Sequence, residues 1–393
     1  MLEHVPAFPG DPILTVNEVF RQDTRPFKVN LSIGIYLDEA GHVPVLQSVH
    51  LVEQRLAAEA RPRPYLPMEG LLSMRRATSE LLFGRGARVL NEGRVATVQT
   101  VGSSGALRLA AEFIATWLPG FKVAVSSPTW DNHRGIFEAS GLEVVEYAYY
   151  DPATQGLAFA QMLQALEALP PRTAVVLHAC CHNPTGVDLS TDQWDRVIEL
   201  LVRRQLLPVL DFAYQGYGQG IEQDAYAVRR LADAGTTCIV ANSFSKNMSV
   251  YGERAGALSV VTEPQHVDNV FGQLQSLLRR LWSNPPTHAA RIVSDVLTSE
   301  ELSALWRREV EDMRLRILGV RQALFDQLGG AEKYRYLIQQ VGMFSYTGLG
   351  RDQVETLRER HAVYLVPSGR LCVASLNAAN IPWVAEALTS VEN

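Results

Sequence analysis

The stretch CIVANSFSKNMSVYGERAGALSVV, residues 238–261, decides the fold and carries a candidate reactive lysine. Two apolar runs within it, 238–241 and 257–261, have the composition of buried β-strands. Between them a serine-rich turn holds Lys246 and, eight positions later, Arg254. A lysine amine attacks carbonyl groups only when part of it is neutral, which burial or a neighbouring cation favours by lowering its pKa. Lys246 is therefore a candidate Schiff-base lysine, although a solvated surface lysine fits the stretch alone equally well.

Further apolar runs alternate with helix-period segments through the middle of the chain. They predict strands at 95–101, 122–126, 142–147, 174–178 and 207–211. The segments between them predict helices that include 105–117 and 191–204, the second opened by Thr191 and Asp192 in the manner of an N-cap. This alternation predicts an α/β fold with a mostly parallel central sheet flanked by helices.

The last quarter of the chain has a different pattern. A long helix is predicted at 299–328, followed by β-like runs at 336–340, 343–347, 363–366 and 371–374. Together with the stretch 29–37, these runs predict a smaller α+β domain, as expected for a chain of 393 residues. We expect an N-terminal arm at 1–10, a small domain at 11–43 and 309–393, and a large domain at 44–308.

Composition excludes several classes of protein. Apolar residues make up 47% and charged residues 20%, as in ordinary globular proteins. The net charge of −6, with no dense basic block, argues against nucleic-acid binding, and no apolar run is long enough to span a bilayer. The four cysteines are too few for a disulfide framework, so we expect a reducing, cytoplasmic location.

A metal site is a possible interpretation of the cluster formed by His178, Cys180, Cys181 and His182. However, neighbouring positions on a strand point to opposite faces, and the chain has no C-x-x-C pair. Convergence of four ligands is therefore difficult, and we expect no metal.

Polar residues recur at or just after the carboxyl ends of the predicted strands, where open α/β sheets bind ligands. Each of them alone fits an ordinary turn. Together they supply an anion cradle, an aromatic face, donors for a ring oxygen, a carboxylate and an amine: 102–105, Trp130, Asn183, Asp211, Tyr214, Ser243, Lys246 and Arg254. A pyridine cofactor that carries an aldehyde and a phosphate needs this set, which predicts pyridoxal 5′-phosphate.

The chain also resembles a known family. The segments that carry the resemblance are NLSIGIY, YLPMEG, VQTVGSSGAL, SPTWDNH, HACCHNPTG, LDFAYQGYG, NSFSKNMSVYGERAGALSV, WSNPP, GMFSYTGL and VPSGRLCVASLN. They are similar to the aspartate and aromatic amino acid aminotransferases of fold type I, from about Pro12 to the C-terminus. The sequences of several segments are more similar to those of the bacterial tyrosine aminotransferase branch.

The resemblance implies a role for each cofactor-binding residue. Lys246 would bind the cofactor covalently and shuttle the proton, while Asp211 would keep the pyridine nitrogen protonated. Asn183 and Tyr214 would bind the ring oxygen, and Trp130 would stack on the ring. The phosphate would be held by Ser103, Ser104, Ser243, Ser245 and Arg254, with Tyr65 from the second subunit of a homodimer that shares its active sites. His133 and His178 would support Asp211, although each could equally be a core histidine.

The resemblance also implies how amino acid and 2-oxo acid substrates bind. Arg370 would bind the α-carboxylate and Arg279, contributed across the dimer, the distal carboxylate, since a guanidinium pairs with a carboxylate through two hydrogen bonds. Gly34, Trp130 and Asn183 would also contact the substrate. Leu281 and Trp282 stand where the family usually has a polar residue and a tyrosine, which favours aromatic side chains.

The predicted activity is therefore transfer of the amino group of tyrosine, phenylalanine or tryptophan to 2-oxoglutarate by a ping-pong mechanism. Aspartate aminotransferase is an alternative within the class. A non-catalytic, cofactor-binding sensor module is an alternative of another class, and it would need an attached DNA-binding segment, which we do not find ahead of Pro12.

Overall fold

The computed structural model describes residues 1–8, 10–60 and 62–392. The strands are β1 (Val29–Asn30), β2 (Val95–Val101), β3 (Lys122–Ser127), β4 (Val144–Ala148), β5 (Tyr150–Asp151), β6 (Gly156–Leu157), β7 (Thr173–His178), β8 (Leu207–Phe212), β9 (Cys238–Ser243), β10 (Ala255–Val261), β11 (Phe344–Tyr346), β12 (Val363–Tyr364) and β13 (Arg370–Cys372).

The helices are α1 (Pro12–Gln22), α2 (Gln47–Glu59), α3 (Leu72–Phe83), α4 (Arg88–Asn91), α5 (Gly102–Trp117), α6 (Asn132–Glu138), α7 (Phe159–Ala168), α8 (Thr191–Arg203), α9 (Tyr226–Asp233), α10 (Pro264–Leu281), α11 (His288–Thr298), α12 (Glu300–Gln327), α13 (Tyr336–Gln339), α14 (Arg351–His361) and α15 (Ile381–Val391). In the part of the chain that the structure describes, no helix is both long and apolar enough to cross a membrane.

A central sheet dominates the larger part of the chain. Among the described residues it has seven strands in the order β2-β10-β9-β8-β7-β3-β4. Strand β10 is antiparallel to both β2 and β9, whereas β9, β8, β7, β3 and β4 pair in parallel. The predicted α/β fold with a mostly parallel sheet flanked by helices is thus confirmed.

The central strands are buried on both faces, as their near-continuous apolar sequences require. Every residue of β7, β8, β9 and β10 is buried. One hydrophobic core includes Val209 and Ile239 of the sheet together with Leu107 of α5 and Leu277 of α10. This rigid layer fixes the positions at which the strands end, and those ends carry the site.

Three local predictions were wrong. The run 336–340 is not a strand, since Tyr336–Gln339 forms a short helix. The sequence was misleading because one helical turn with two buried apolar residues has the same short pattern as a strand. Helix α5 begins at Gly102 rather than at 105, so the predicted turn is the first turn of the helix. The N-cap of α8 is Ser190, whose side chain accepts from the Gln193 backbone N–H in a capping box.

The chain divides into two compact units. The larger unit contains Pro44–Asn183 and Val187–Arg316, and the smaller contains Met1–Val43, Pro184–Gly186 and Ile317–Asn393. Within the smaller unit β1 pairs in parallel with β12, and β11 is antiparallel to β13. The change of unit at 316–317 and the predicted boundary at 308–309 both fall within α12. The predicted domain boundaries stay a prediction.

Candidate active site

Asp211 lies near the carboxyl end of β8 with only 4% of its surface exposed. Its Oδ2 is 3.1 Å from Nε2 of His133, which lies in α6 and donates to it. Its Oδ1 is also buried and has no hydrogen-bond partner among the described residues. Because a buried carboxylate oxygen without a donor is costly, this atom is suited to accept from the N–H of a bound, protonated heterocycle.

The neighbours of Asp211 keep it ionised. Burial by itself would raise the pKa of Asp211, but the hydrogen bond from His133 and the electrostatic influence of His133, His178 and Lys246 outweigh it and lower the pKa. The hydroxyl of Thr129 is 2.7 Å from Nδ1 of His133 and orients this ring, since it can donate to Nδ1 while Nε2 donates to Asp211.

Behind the carboxylate lies a set of packed rings. His178, at the end of β7, is paired in register with Asp211, and its ring centroid is 5.1 Å from that of His133. His182 in turn packs 4.5 Å from His178 and stacks on Tyr149 at 3.9 Å. Burial, and then the electrostatic influence of His133, lowers the pKa of His178 to about 3, so this ring is neutral at physiological pH.

Two buried trios bring potential metal ligands within 4.8 Å of one another: His133, His178 and Asp211, and Cys180, Cys181 and Asp224. The first includes the carboxylate and the histidine that already donates to it. Burial raises the pKa of the Cys180 thiol well above its ordinary value, which disfavours the thiolate that a soft metal needs. His178 thus groups with His133 and Asp211, whereas Cys180 and Cys181 group with Asp224.

Lys246 follows β9 and is partly buried. Its Nζ lies 4.9 Å from the ring centroid of Tyr214, and the amide nitrogen of Asn183 donates to the Tyr214 hydroxyl over 3.3 Å. The hydroxyl of Tyr217 donates to the backbone oxygen of Lys246 over 2.9 Å. The structure thus brings together the predicted amine, phenol and amide, and it adds Tyr217, which sequence reasoning missed.

The residues predicted to hold the phosphate lie at or beside the ends of three neighbouring strands, β2, β9 and β10. Ser103 lies in the first turn of α5, where backbone N–H groups have no partner within the helix and favour an anion. Arg254 donates to Oγ of Ser245 over 3.1 Å, and Oγ of Ser243 accepts from the Ser245 backbone N–H over 3.1 Å. At Gly102, with φ +72°, a Cβ would lie 2.5 Å from Nη2 of Arg254, so only glycine allows this approach.

The remaining candidates in the larger unit are less tightly held. Trp130 is half-buried and contacts His133 edge to face at 5.3 Å. Tyr65 is 89% exposed. Arg279, at the end of α10, is exposed and donates to Oγ of Ser283, one turn further on, and Arg280 beside it is exposed as well.

The two candidates in the smaller unit share one aromatic ring. The guanidinium of Arg370 lies 4.4 Å from the ring centroid of Phe344, and its Nη2 donates to the Ser32 backbone oxygen over 2.6 Å. A Cβ on Gly34 would lie 2.9 Å from Cζ of the same phenylalanine. Arg321, which is fully buried, donates to the Phe344 backbone oxygen over 2.6 Å. Arg321 lies outside the segments that carry the resemblance, and Phe344, although it lies within GMFSYTGL, has no polar group that could have marked it as a site residue.

Comparison with known proteins identifies the family. The model of aminotransferase class I and II matches residues 26–388. The chain is 51% identical to an aromatic-amino-acid aminotransferase of Escherichia coli (strain K12), and the match covers all of both chains. It is 48% identical to an aspartate aminotransferase of Pseudomonas aeruginosa, with 98% of this chain and 97% of the relative covered.

A solved structure agrees. It is that of an aromatic-amino-acid aminotransferase from Burkholderia pseudomallei, covalently bound to pyridoxal phosphate. Its sequence is 46% identical to this chain, the TM-score is 0.97, and the match covers all of both chains. The chain therefore belongs to the class I and II aminotransferases and is a pyridoxal-phosphate-dependent enzyme, as its sequence predicts.

Proposed function

We propose that this enzyme transfers the amino group of an aromatic L-amino acid, such as tyrosine, phenylalanine or tryptophan, to 2-oxoglutarate. Amino donor and oxo-acid acceptor would bind in turn at one site in a ping-pong cycle. We further propose that the enzyme works in the cytoplasm as a homodimer. The exposed Tyr65 supports the dimer, since an aromatic side chain that is 89% exposed in the single chain is suited to contact a second subunit.

Pyridoxal phosphate, when bound, supplies an electron-accepting ring and a carbonyl carbon that reacts with amines. We propose that Nζ of Lys246 binds that carbon and later carries a proton to and from the substrate. Oδ1 of Asp211 would accept a hydrogen bond from the ring nitrogen, and its lowered pKa keeps the negative charge in place. Asn183 and Tyr214 would donate to the ring oxygen, and Trp130 would cover the ring face.

The phosphate and the substrate carboxylates would meet separate cations. Arg254, with Ser103, Ser104, Ser243 and Ser245, would hold the phosphate. Arg370 would bind the α-carboxylate, with Gly34 leaving room beside Phe344. Arg279 would bind the distal carboxylate of 2-oxoglutarate from the second subunit. Because Arg279 has a contact only one turn away, its side chain can reorient at small cost.

The preference for aromatic donors is carried by Leu281 and Trp282. Both are half-buried and pack against the hydrophobic core, and Cη2 of Trp282 lies 3.5 Å from the position of a Cβ on Gly105, in the first turn of α5. The apolar surface of this pair stabilises an aromatic side chain by burial, and the pair offers a carboxylate a single donor, the indole N–H of Trp282. The Escherichia coli relative also favours this interpretation.

Aspartate aminotransferase remains a second candidate, because Arg279 is present and the Pseudomonas relative has that name. Steady-state rates with phenylalanine, tyrosine, tryptophan and aspartate as donors and 2-oxoglutarate as acceptor separate the two. We expect kcat/KM for the aromatic donors to exceed that for aspartate. A higher value for aspartate, together with effective competition by aspartate against phenylalanine, would establish the second candidate instead.

A further inference from the structure

We propose that Asp224 is a positioning residue of the cofactor site. Its carboxylate holds the loop 214–219 and thereby fixes Tyr214 and the backbone of Lys246. Asp224 lies between β8 and α9 and is itself outside the predicted site. The proposal rests on the proposed roles of Lys246 and Tyr214 and adds a residue that no sequence motif singled out.

The carboxylate of Asp224 is buried and binds three backbone N–H groups of the loop. Its Oδ2 accepts from Gly216 over 2.8 Å and from Gly218 over 3.0 Å, and its Oδ1 accepts from Gln219 over 2.7 Å. The three backbone N–H groups form an anion-binding nest around the carboxylate of Asp224. Each of these charge-assisted hydrogen bonds is stronger than a neutral hydrogen bond.

The glycines of the loop permit this close approach. A Cβ on Gly218 would lie 2.6 Å from Oδ1 of Asp224. Gly216 has φ +100°, and a Cβ there would lie 2.4 Å from Cγ1 of Val310. Side chains at either position would push the backbone off the carboxylate, so the loop sequence and Asp224 specify one conformation together.

The anchored loop reaches the reactive groups at two points. Tyr214 opens the loop, and its hydroxyl accepts from Asn183. Tyr217 lies between the two anchored glycines, and its hydroxyl donates to the Lys246 backbone oxygen. Asn247, the next residue, donates to the Gln215 backbone oxygen over 3.1 Å. Displacement of the loop would therefore move the phenol of Tyr214 and the peptide that carries the amine at the same time.

The variant Asp224→Asn tests the proposal. An amide keeps the shape of the side chain but places an N–H₂ group against backbone N–H groups, so at least one donor loses its acceptor. We expect kcat to fall roughly 10- to 100-fold with the KM for the amino donor changed less than about threefold. We also expect the pH midpoint of the bound cofactor's visible absorbance to shift, because the Tyr214 hydroxyl no longer keeps its position.

A measurement on the apoprotein gives a second readout. Amide hydrogen exchange at 216–219 should accelerate in Asp224→Asn, while exchange in β8 stays unchanged. The matched control is Asp233→Asn, the same substitution at an exposed position of α9, which should leave all values as in the parent protein. If Asp224→Asn does not fold, Gly218→Ala displaces the carboxylate more mildly, with Gly272→Ala, where a Cβ meets nothing within 4 Å, as its control.

Two results would overturn the proposal. The first is a folded Asp224→Asn variant in which loop exchange is accelerated but the absorbance midpoint and kcat are unchanged. The second is unchanged amide exchange at 216–219 in that variant. The proposed function fails by a different result, since turnover in Lys246→Ala would contradict the role of the lysine whatever Asp224→Asn does.

Discussion

The two ends of the proposed site, which different subunits would contribute to any one active site, are built in opposite ways. Around Asp211 of β8, His133 of α6 donates to the carboxylate, Thr129 orients the His133 ring, and His178 of β7 packs against that ring. Around Arg279, a single exposed side chain at the end of α10 has one contact four residues away. We therefore propose that the core of the sheet fixes the groups that carry the chemistry, whereas the choice of substrate depends on an adaptable helix end.

Loss of the amine at the buried end should have the largest effect. Lys246→Ala removes the group that binds the cofactor carbon and carries the proton, so we expect turnover to fall on the order of 10⁴-fold or more. The visible absorbance of the covalently bound cofactor should disappear with it. Retention of turnover with normal absorbance would show that the buried end does not supply the chemistry.

Loss of the carboxylate should be the next largest effect. Asp211→Asn keeps the shape but removes the charge that faces the ring nitrogen, and loss of one such preorganised electrostatic contact costs about 10²- to 10³-fold in kcat. Single-turnover rates measure this loss. The affinity of the protein for the cofactor should fall as well. Asp195→Asn, which changes an exposed carboxylate paired with Arg230, is the control. Equal rates in the Asp211 and Asp195 variants would mean that the buried network is not used.

At the adaptable end the effect should be selective. Arg279→Ala removes a charge-assisted pair with a dicarboxylate and should lower kcat/KM for aspartate and 2-oxoglutarate roughly 10- to 100-fold, with a much smaller change in the half-reaction of phenylalanine. Arg280→Ala, at the neighbouring exposed arginine, should change neither. Equal losses for aspartate and phenylalanine in Arg279→Ala would remove its assigned role.

The smallest expected effect concerns stability in acid. The pKa of His178 is about 3 in the folded chain, whereas its ordinary value is 6.5. Between pH 6.5 and pH 3 the unfolded chain therefore binds a proton at His178 that the folded chain does not bind. Stability should therefore decrease as the pH falls through this range, and the lowered pKa of Asp211 adds to the loss below its ordinary value of 3.8.

The variant His178→Gln isolates that contribution. It should reduce the pH dependence of the free energy of unfolding by up to about 1.4 kcal/mol per pH unit between pH 6.5 and 4. Denaturant unfolding of the holoenzyme at several pH values measures the slope. His266→Gln, at an exposed histidine, is the control. The same slope in both variants would show that the neutral ring of His178 does not contribute.

The sequence predicted the sheet well because strands buried on both faces are continuous apolar runs, and Val95–Val101 was predicted to the residue. It also predicted that Lys246, Tyr214, Asn183 and Asp211 lie at or just after the carboxyl ends of strands. The family resemblance implied that His133 supports Asp211, but the residues alone could not predict this pairing or the bond from Tyr217 to Lys246, because contacts between residues far apart in sequence depend on packing. The helix at 336–339 was missed because one turn is too short to show a period.

Strand β10, the antiparallel member of the central sheet, has a consequence for how the chain could be cut. Because β9 ends and β10 begins at the same edge, the hairpin 244–254 delivers both Lys246 and Arg254 to one place, and β10 then pairs with β2, which leads into Gly102. New termini opened within 247–253 would leave every strand pair intact and yet free the two cations from each other. Such a circular permutant should still fold, and it would measure how much this short connection contributes to the proposed binding of the cofactor phosphate.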